Sequence, residues 1–207
     1  MKTGRKVKKV LLLHGIFQSP GFVEDFKLYL GSLGYVVQTF SYPLLPRKED
    51  LEDVFLERLH DFSPEGIVGH SLGGLVAASN IAKFPKSVRS LVCVGSPLTG
   101  SLAAKRCAAL PTSIFVSVAA NNLLVNGVNL PETTVRIGSI AGTSKDLGMG
   151  TLFWPLEGES DGAVLVKETF VPGLTDHLQL KLGHKDLIRD QAVAAHISNF
   201  FEYGKFT

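Results

Sequence analysis

The chain has 207 residues, of which 45% are apolar and 19% charged, so its composition predicts one folded domain spanning 1–207. Lys plus Arg number 21 against 19 for Asp plus Glu, which gives no electrostatic case for nucleic acid as a partner. The basic residues within positions 1–8 are expected to form a flexible, solvated tail. No apolar run is long enough for a signal peptide or a membrane span, so we expect a cytoplasmic protein without stable membrane insertion.

Short apolar runs alternate with amphipathic segments in the first half of the chain. Strands are predicted at residues 9–13, 35–40, 65–69 and 88–94, and helices at residues 21–33, 49–60 and 72–84. This alternation with tight joints predicts βαβ units. The expected fold class is therefore α/β, with a mostly parallel central sheet and helices on both faces.

The second half of the chain is less regular. Residues 101–126 are compatible with one or two helices, although Ile114 to Val118 also has the composition of a strand. Further elements are expected as strands near 135–140 and 178–181 and as a terminal helix at about 185–203. The glycine-rich residues 142–155 predict a long loop, and loops of that length often border a functional site.

Residues 69–73 read Gly-His-Ser-Leu-Gly, a G-x-S-x-G motif between an apolar strand and a helix. A reversal this tight strains its central residue, Ser71, and glycines two positions away remove the Cβ atoms that would clash. The serine hydroxyl would stand clear of the sheet, and the N–H of Leu72 would face a developing oxyanion. The structural alternative is that Ser71 only caps the helix.

The first predicted strand ends in His14 and Gly15, where a second oxyanion donor is expected. Ile16 is the first candidate for this donor and Phe17 the next. His14 could be considered as a base, but its position at a strand end favours a structural, hydrogen-bonded histidine.

An acid and a histidine should follow the serine in this order along the chain. Asp161 is preferred as the acid because it precedes a glycine at a turn that can direct its carboxylate inward. Its rivals are Glu159, Asp176 and Asp146. His184 is preferred as the base because it lies in a loop between the last strand and the last helix. His177 is the alternative, and His196 belongs to the pattern of the terminal helix.

With these motifs in order, from His14-Gly15 to His184, the chain resembles the α/β-hydrolase superfamily and its small bacterial lipase- and esterase-like serine hydrolases. The motif Gly95-Ser96-Pro97 also belongs to this resemblance. The resemblance implies a catalytic triad of Ser71, Asp161 and His184. The chain is short, so only Pro97 to Pro111 and residues 142–155 are available for a small lid.

The resemblance implies a carboxylic ester hydrolase whose partner is a small-molecule or lipid ester, and the triad requires neither a metal nor a cofactor. An apolar acyl pocket is expected from Ile16, Phe17, Leu72, Leu98, Phe153 and Trp154. The same triad could serve a thioesterase or an acyltransferase, and a binding protein on a hydrolase scaffold is a further alternative. No dinucleotide-binding or P-loop motif is present, which disfavours a nucleotide-binding protein. The two cysteines, Cys93 and Cys107, are expected to be free and buried.

Overall fold

The structure of the chain, a computed structural model, describes residues 7–16, 18, 20–42, 48–108, 118–145 and 156–207. The strands of the sheet are β1 (Lys9–Leu13), β2 (Val36–Phe40), β3 (Gly66–His70), β4 (Ser90–Val94), β5 (Arg136–Gly142) and β6 (Asp176–Leu180). The helices within these ranges are α1 (Glu24–Ser32), α2 (Lys48–Phe62), α3 (Leu72–Ser79), α4 (Leu102–Ala108), α5 (Val118–Asn126) and α6 (Gln191–Tyr203).

The six strands form one sheet in the order β2-β1-β3-β4-β5-β6, and every adjacent pair is parallel. Because all strands run the same way, their carboxyl ends meet at one edge of the sheet. Ligand sites of open α/β sheets lie at this edge, where the loops after neighbouring strands converge. The predicted α/β class with a parallel sheet is confirmed.

Both faces of the sheet are covered by helices. On one face α1 packs against α6, and on the other α3 packs against α5. In β1, Val10 and Leu12 point to the hydrophobic cluster on the face of α1 and α6, while Leu11 and Leu13 point to the cluster on the face of α3. Since successive side chains point to opposite faces, a strand buried on both sides must be apolar at every position. This explains the uninterrupted apolar run that marked the first strand in the sequence.

Several predicted boundaries shift. The terminal helix begins at Gln191 rather than near residue 185, because the carboxylate of Asp190 accepts the N–H groups of Ala192 and Val193 and caps the helix there. Residues 7 and 8 belong to the folded structure rather than to a tail, since Val7 is buried and the Lys8 N–H donates to Glu65.

The segment 101–126, for which one or two helices were predicted, contains α4 and α5. Residues 109–117 between them lie outside the described residues, and these include most of the ambiguous stretch Ile114 to Val118. Most of the predicted long loop, residues 146–155, lies outside as well. Cys93 is buried and free, and burial raises the pKa of its thiol to about 12. None of the helices in the described ranges has the length and apolar character needed to cross a membrane.

Candidate active site

The turn from β3 into α3 holds Ser71 in an unusual backbone conformation, with φ of 53° and ψ of −119°. A Cβ atom at Gly69 would lie 2.5 Å from the Cα of Gly74, and one at Gly73 would lie 2.6 Å from the carbonyl oxygen of His14. Both contacts are with backbone, which cannot move aside as a flexible side chain could. Glycine is therefore required at both positions, as the motif predicts, so that the chain can reverse within one residue.

The hydroxyl of Ser71 makes no hydrogen bond to any described residue. Ser71 occupies the N-cap position of α3, yet its side chain does not cap the helix, so the alternative of a purely capping serine is wrong. Its backbone N–H donates to the carbonyl of Val94 at 2.9 Å, which fixes the turn to the end of β4. Ser71 is only 6% exposed, yet no described residue holds its hydroxyl in a hydrogen bond.

Asp161, which is buried, forms a hydrogen-bonded pair with the partly exposed His184. His184 Nδ1 lies 2.7 Å from Asp161 Oδ2, and the backbone N–H of His184 donates to the Asp161 carbonyl at 2.9 Å. The other carboxylate oxygen accepts the N–H groups of Ala163 at 2.9 Å and Val164 at 2.7 Å. A carboxylate can only accept, so Nδ1 of His184 carries a proton and Nε2 is left with a free lone pair. That is the tautomer a general base needs.

The end of β4 brings this pair to the serine turn. A Cβ atom at Gly95 would lie 3.2 Å from both Asp161 Oδ2 and His184 Nδ1. Gly95 directly follows Val94, whose carbonyl accepts the N–H of Ser71. One strand end therefore contacts the turn and the pair at the same time. Gly95 belongs to the Gly95-Ser96-Pro97 motif, whose sequence gives no indication of this role.

The loop after β1 lies on another side of Ser71. A Cβ atom at Gly15 would be 3.1 Å from the Cβ of Ser71 and from Nδ1 of His70, so a side chain there would push against the serine turn. The Gly15 N–H donates to Gln18 Oε1 at 2.7 Å, and the Gly15 carbonyl accepts from His14 Nδ1 at 2.9 Å. In a trans peptide the N–H of Ile16 points away from that carbonyl. No described residue accepts it.

Leu72 is the other residue whose N–H is predicted to donate to an oxyanion. As the first residue of α3 it has no preceding turn of helix to accept its N–H. The N–H groups of Ile16 and Leu72 are thus two backbone donors on the loops that flank Ser71, as an oxyanion hole would require.

His14 has a structural environment. It is buried, its ring stacks on that of Tyr42 with centroids 4.5 Å apart, and the Tyr42 hydroxyl donates to its carbonyl. Burial lowers the pKa of His14, so the ring is neutral near pH 7. This agrees with the expectation that it shapes the loop rather than acting as a base.

The rival candidates have other partners. On β6, His177 Nε2 lies 2.8 Å from Thr169 Oγ1, and on α6, His196 Nδ1 lies 2.9 Å from the carbonyl of Phe206. The carboxylate of Asp176 accepts the Phe206 N–H, and Glu159 is exposed. The remaining rival, Asp146, is outside the described residues.

His70 is a site residue that the sequence analysis missed. It is fully buried, its Nε2 lies 3.0 Å from the carbonyl oxygen of His184, and the two rings have centroids 4.7 Å apart. Its Nδ1 lies 3.1 Å from Gln18 Oε1. Burial and the neighbouring His184 lower the pKa of His70 well below its usual value. The motif treats this position as variable, so its only sequence signal was its place beside Ser71.

The predicted acyl pocket is described only in part. Leu98 has no exposed surface and packs in the hydrophobic cluster beneath α3, whereas Ile16 is half-buried beside it. Phe17, Phe153 and Trp154 lie outside the described residues. So do the last three residues of the first predicted lid segment, 109–111, and residues 146–155 of the second. Within the described ranges, no group of three His, Cys, Asp or Glu residues is placed to hold a metal.

A comparison of the sequence with protein-family models and with curated proteins finds no match. Solved structures do match. The mature form of the lipase BlEst2 from Bacillus licheniformis superposes with a TM-score of 0.76 at 19% identity, covering 95% of this chain and 91% of that one.

Two other structures match over nearly the whole chain. The metagenomic carboxyl esterase MGS0156 gives a TM-score of 0.69 at 15% identity over 98% of this chain and 77% of its own. The pyrethroid hydrolase PytH gives a TM-score of 0.65 at 13% identity, covering 96% of this chain and 99% of its own. At such identities the likeness establishes the architecture, and this chain has the fold of the α/β-hydrolases.

Proposed function

We propose that this chain is a serine hydrolase that cleaves carboxylic esters through an acyl-enzyme on Ser71. The observation that carries the proposal is the hydrogen-bonded pair of Asp161 and His184 at the strand end that also holds the strained turn of Ser71. The fold shared with a lipase, a carboxyl esterase and a pyrethroid hydrolase supports the same reaction class.

In the first half of the reaction, Nε2 of His184 takes the proton of the Ser71 hydroxyl while the serine oxygen attacks the ester carbonyl carbon. Asp161 holds the proton on Nδ1 and stabilises the imidazolium that forms. The tetrahedral intermediate collapses when His184 returns the proton to the leaving alcohol oxygen, which leaves an acyl-serine and a free alcohol.

In the second half, water attacks the acyl-serine and gives its proton to His184. The second intermediate collapses, the carboxylic acid departs, and Ser71 regains its proton from His184. Both intermediates carry negative charge on the former carbonyl oxygen. The N–H groups of Ile16 and Leu72 would stabilise it, and losing one such donor typically costs about 10²–10³-fold in rate.

The experiment replaces Ser71 and measures hydrolysis of short p-nitrophenyl esters. Ser71→Ala should lose roughly 10⁴-fold or more of kcat/KM, because the nucleophile is removed. Ser79→Ala is the matched control: it lies on the same helix, and its hydroxyl donates to the carbonyl of Val76 and accepts from the amide of Asn80. This variant should keep the wild-type rate.

A fluorophosphonate probe provides the second arm. It should label the native wild-type protein on Ser71 and leave Ser71→Ala unlabelled. Ester turnover retained in Ser71→Ala, or labelling of another residue, would overturn the proposal. Acyl-thioesters and acyl-acceptor alcohols belong in the same substrate panel, because a thioesterase or acyltransferase would use identical first steps.

A further inference from the structure

The ring of His70 takes part in no step of the proposed reaction, yet it is fully buried between the Ser71 turn and His184. Its Nε2 lies 3.0 Å from the backbone carbonyl oxygen of His184. Since a carbonyl oxygen can only accept, this contact is a hydrogen bond when Nε2 carries the proton.

The other ring nitrogen has no donor to bind. Nδ1 faces Gln18 Oε1 at 3.1 Å, and that oxygen already accepts the N–H of Gly15. Burial keeps His70 in its neutral form, which has one N–H, by lowering its pKa. Both facing oxygens are acceptors, and that of Gln18 already accepts the N–H of Gly15, so the single proton of this imidazole is assigned to Nε2 and the carbonyl of His184.

Three hydrogen bonds then determine how His184 is oriented. Asp161 provides two of them, to Nδ1 and to the backbone N–H. His70 provides the third, to the carbonyl. Asp161 lies in the connection between β5 and β6, whereas His70 is the residue directly before Ser71. Among the described residues, the bond from His70 is thus a direct hydrogen bond between the nucleophile turn and the base.

We propose that His70 is a positioning residue, whose Nε2–H holds the carbonyl of His184 and so sets the distance from the base to the Ser71 hydroxyl. This inference rests on the proposed hydrolase function. A misplacement of about 1 Å in a catalytic group can cost on the order of 10²-fold in rate. Losing the bond should therefore lower kcat while leaving KM unchanged, since His70 is buried and does not contact substrate.

Two substitutions separate this role from simple packing. In His70→Gln the side-chain amide nitrogen stands the same number of bonds from Cα as Nε2, so it can still donate to the His184 carbonyl. In His70→Asn the amide stands where Nδ1 was and cannot reach it. Both variants lose the ring and its contact with His184, and they differ from each other in volume by one methylene group.

We expect His70→Gln to retain kcat within about fivefold of the wild type and His70→Asn to lose about 10–100-fold, with KM within about twofold in both. Rates are expressed per site titrated to completion with the fluorophosphonate probe, so unfolded molecules do not count. The Nδ1–H proton of His184, observed by NMR, should persist in both variants because Asp161 still holds it.

Equal kcat per titrated site in His70→Gln and His70→Asn would overturn the positioning role while leaving the hydrolase proposal intact. Loss of the His184 Nδ1–H signal in His70→Asn alone would also overturn it, because His70 would then act on the acid–base pair itself. A wild-type protein that is not labelled would overturn both proposals together.

Discussion

The turn around Ser71 and the pair of Asp161 and His184 are held in place by different means. The turn, residues 69–74, is confined by backbone atoms of its own residues and of β1, and its glycines are required because a Cβ atom has no room. The pair joins residues 23 positions apart and is fixed by directional hydrogen bonds between loops. The first arrangement is sensitive to added volume, and the second to a change of donor or acceptor.

The largest effect is expected from Asp161→Asn, which changes the hydrogen bonding of the pair at nearly constant volume. The N–H groups of Ala163 and Val164 would claim the amide oxygen, so the amide NH₂ would face Nδ1 of His184. The proton of the ring would then move to Nε2, and His184 could no longer accept from Ser71. We expect kcat for a p-nitrophenyl ester to fall by about 10⁴-fold.

Asp176→Asn is the control for this variant, because the Asp176 carboxylate also accepts two backbone N–H groups, those of His177 and Phe206. It should keep the wild-type kcat whatever it does to stability. More than a tenth of the wild-type rate in Asp161→Asn would show that the acid is not needed to set the tautomer.

The complementary test adds volume to the turn without touching a reacting group. In Gly69→Ala the new methyl group would meet the backbone of Gly73 and Gly74, so we expect the free energy of unfolding to fall by about 1–3 kcal/mol and probe labelling to be lost. In the control, Gly31→Ala, the methyl group meets nothing within 4 Å on helix α1. That variant should gain roughly 0.5–1 kcal/mol.

Urea unfolding followed by circular dichroism measures both free energies. If Gly69→Ala were as stable as the wild type and labelled at the same rate, the turn would have more freedom than its geometry implies. The contrast between the two glycines matters more than either value, because both substitutions make the same chemical change.

The different means of support also explain what could be predicted from the sequence. The turn at Ser71 depends mainly on six consecutive residues, so their glycine spacing between an apolar strand and a helix predicted the reversal. The meeting of Asp161 and His184 followed from chain order and loop position, which placed both residues after strands. The bonds from His70 to His184 and from Gly15 to Gln18 depend on the register of β1 against β3, and on loops that no local pattern specifies.

Helix limits were missed for a similar reason. The pattern of apolar residues near the end of the chain predicted a helix from about residue 185, but Leu187 and Ile188 belong to a short 3-10 turn that packs into the core before α6 begins. Burial made these residues look helical in sequence, whereas the cap at Asp190 sets the actual start.

The smallest effect concerns the buried histidines on the serine side of the site. Burial lowers the pKa values of His70 and His14, and the electrostatic interaction with the neighbouring His184 lowers that of His70 further. Their folded-state pKa values lie below the unfolded value, so the unfolded chain takes up more protons as the pH falls through about 6.5. The stability these groups contribute is present above that pH and is lost below it.

We therefore expect the free energy of unfolding to decrease between about pH 7.5 and pH 5.5, and to decrease less in His70→Gln, which lacks one of these titrating groups. Among the described residues, His184 and His14 are the titratable groups whose charge acts on His70, and each opposes its protonation. Urea unfolding at a series of pH values measures the slope for both proteins. Equal slopes would mean that His70 is already protonated in the folded protein, with both ring nitrogens donating to the oxygens of Gln18 and His184. The link between the serine turn and the base would then be a charged one, and its strength would depend on pH.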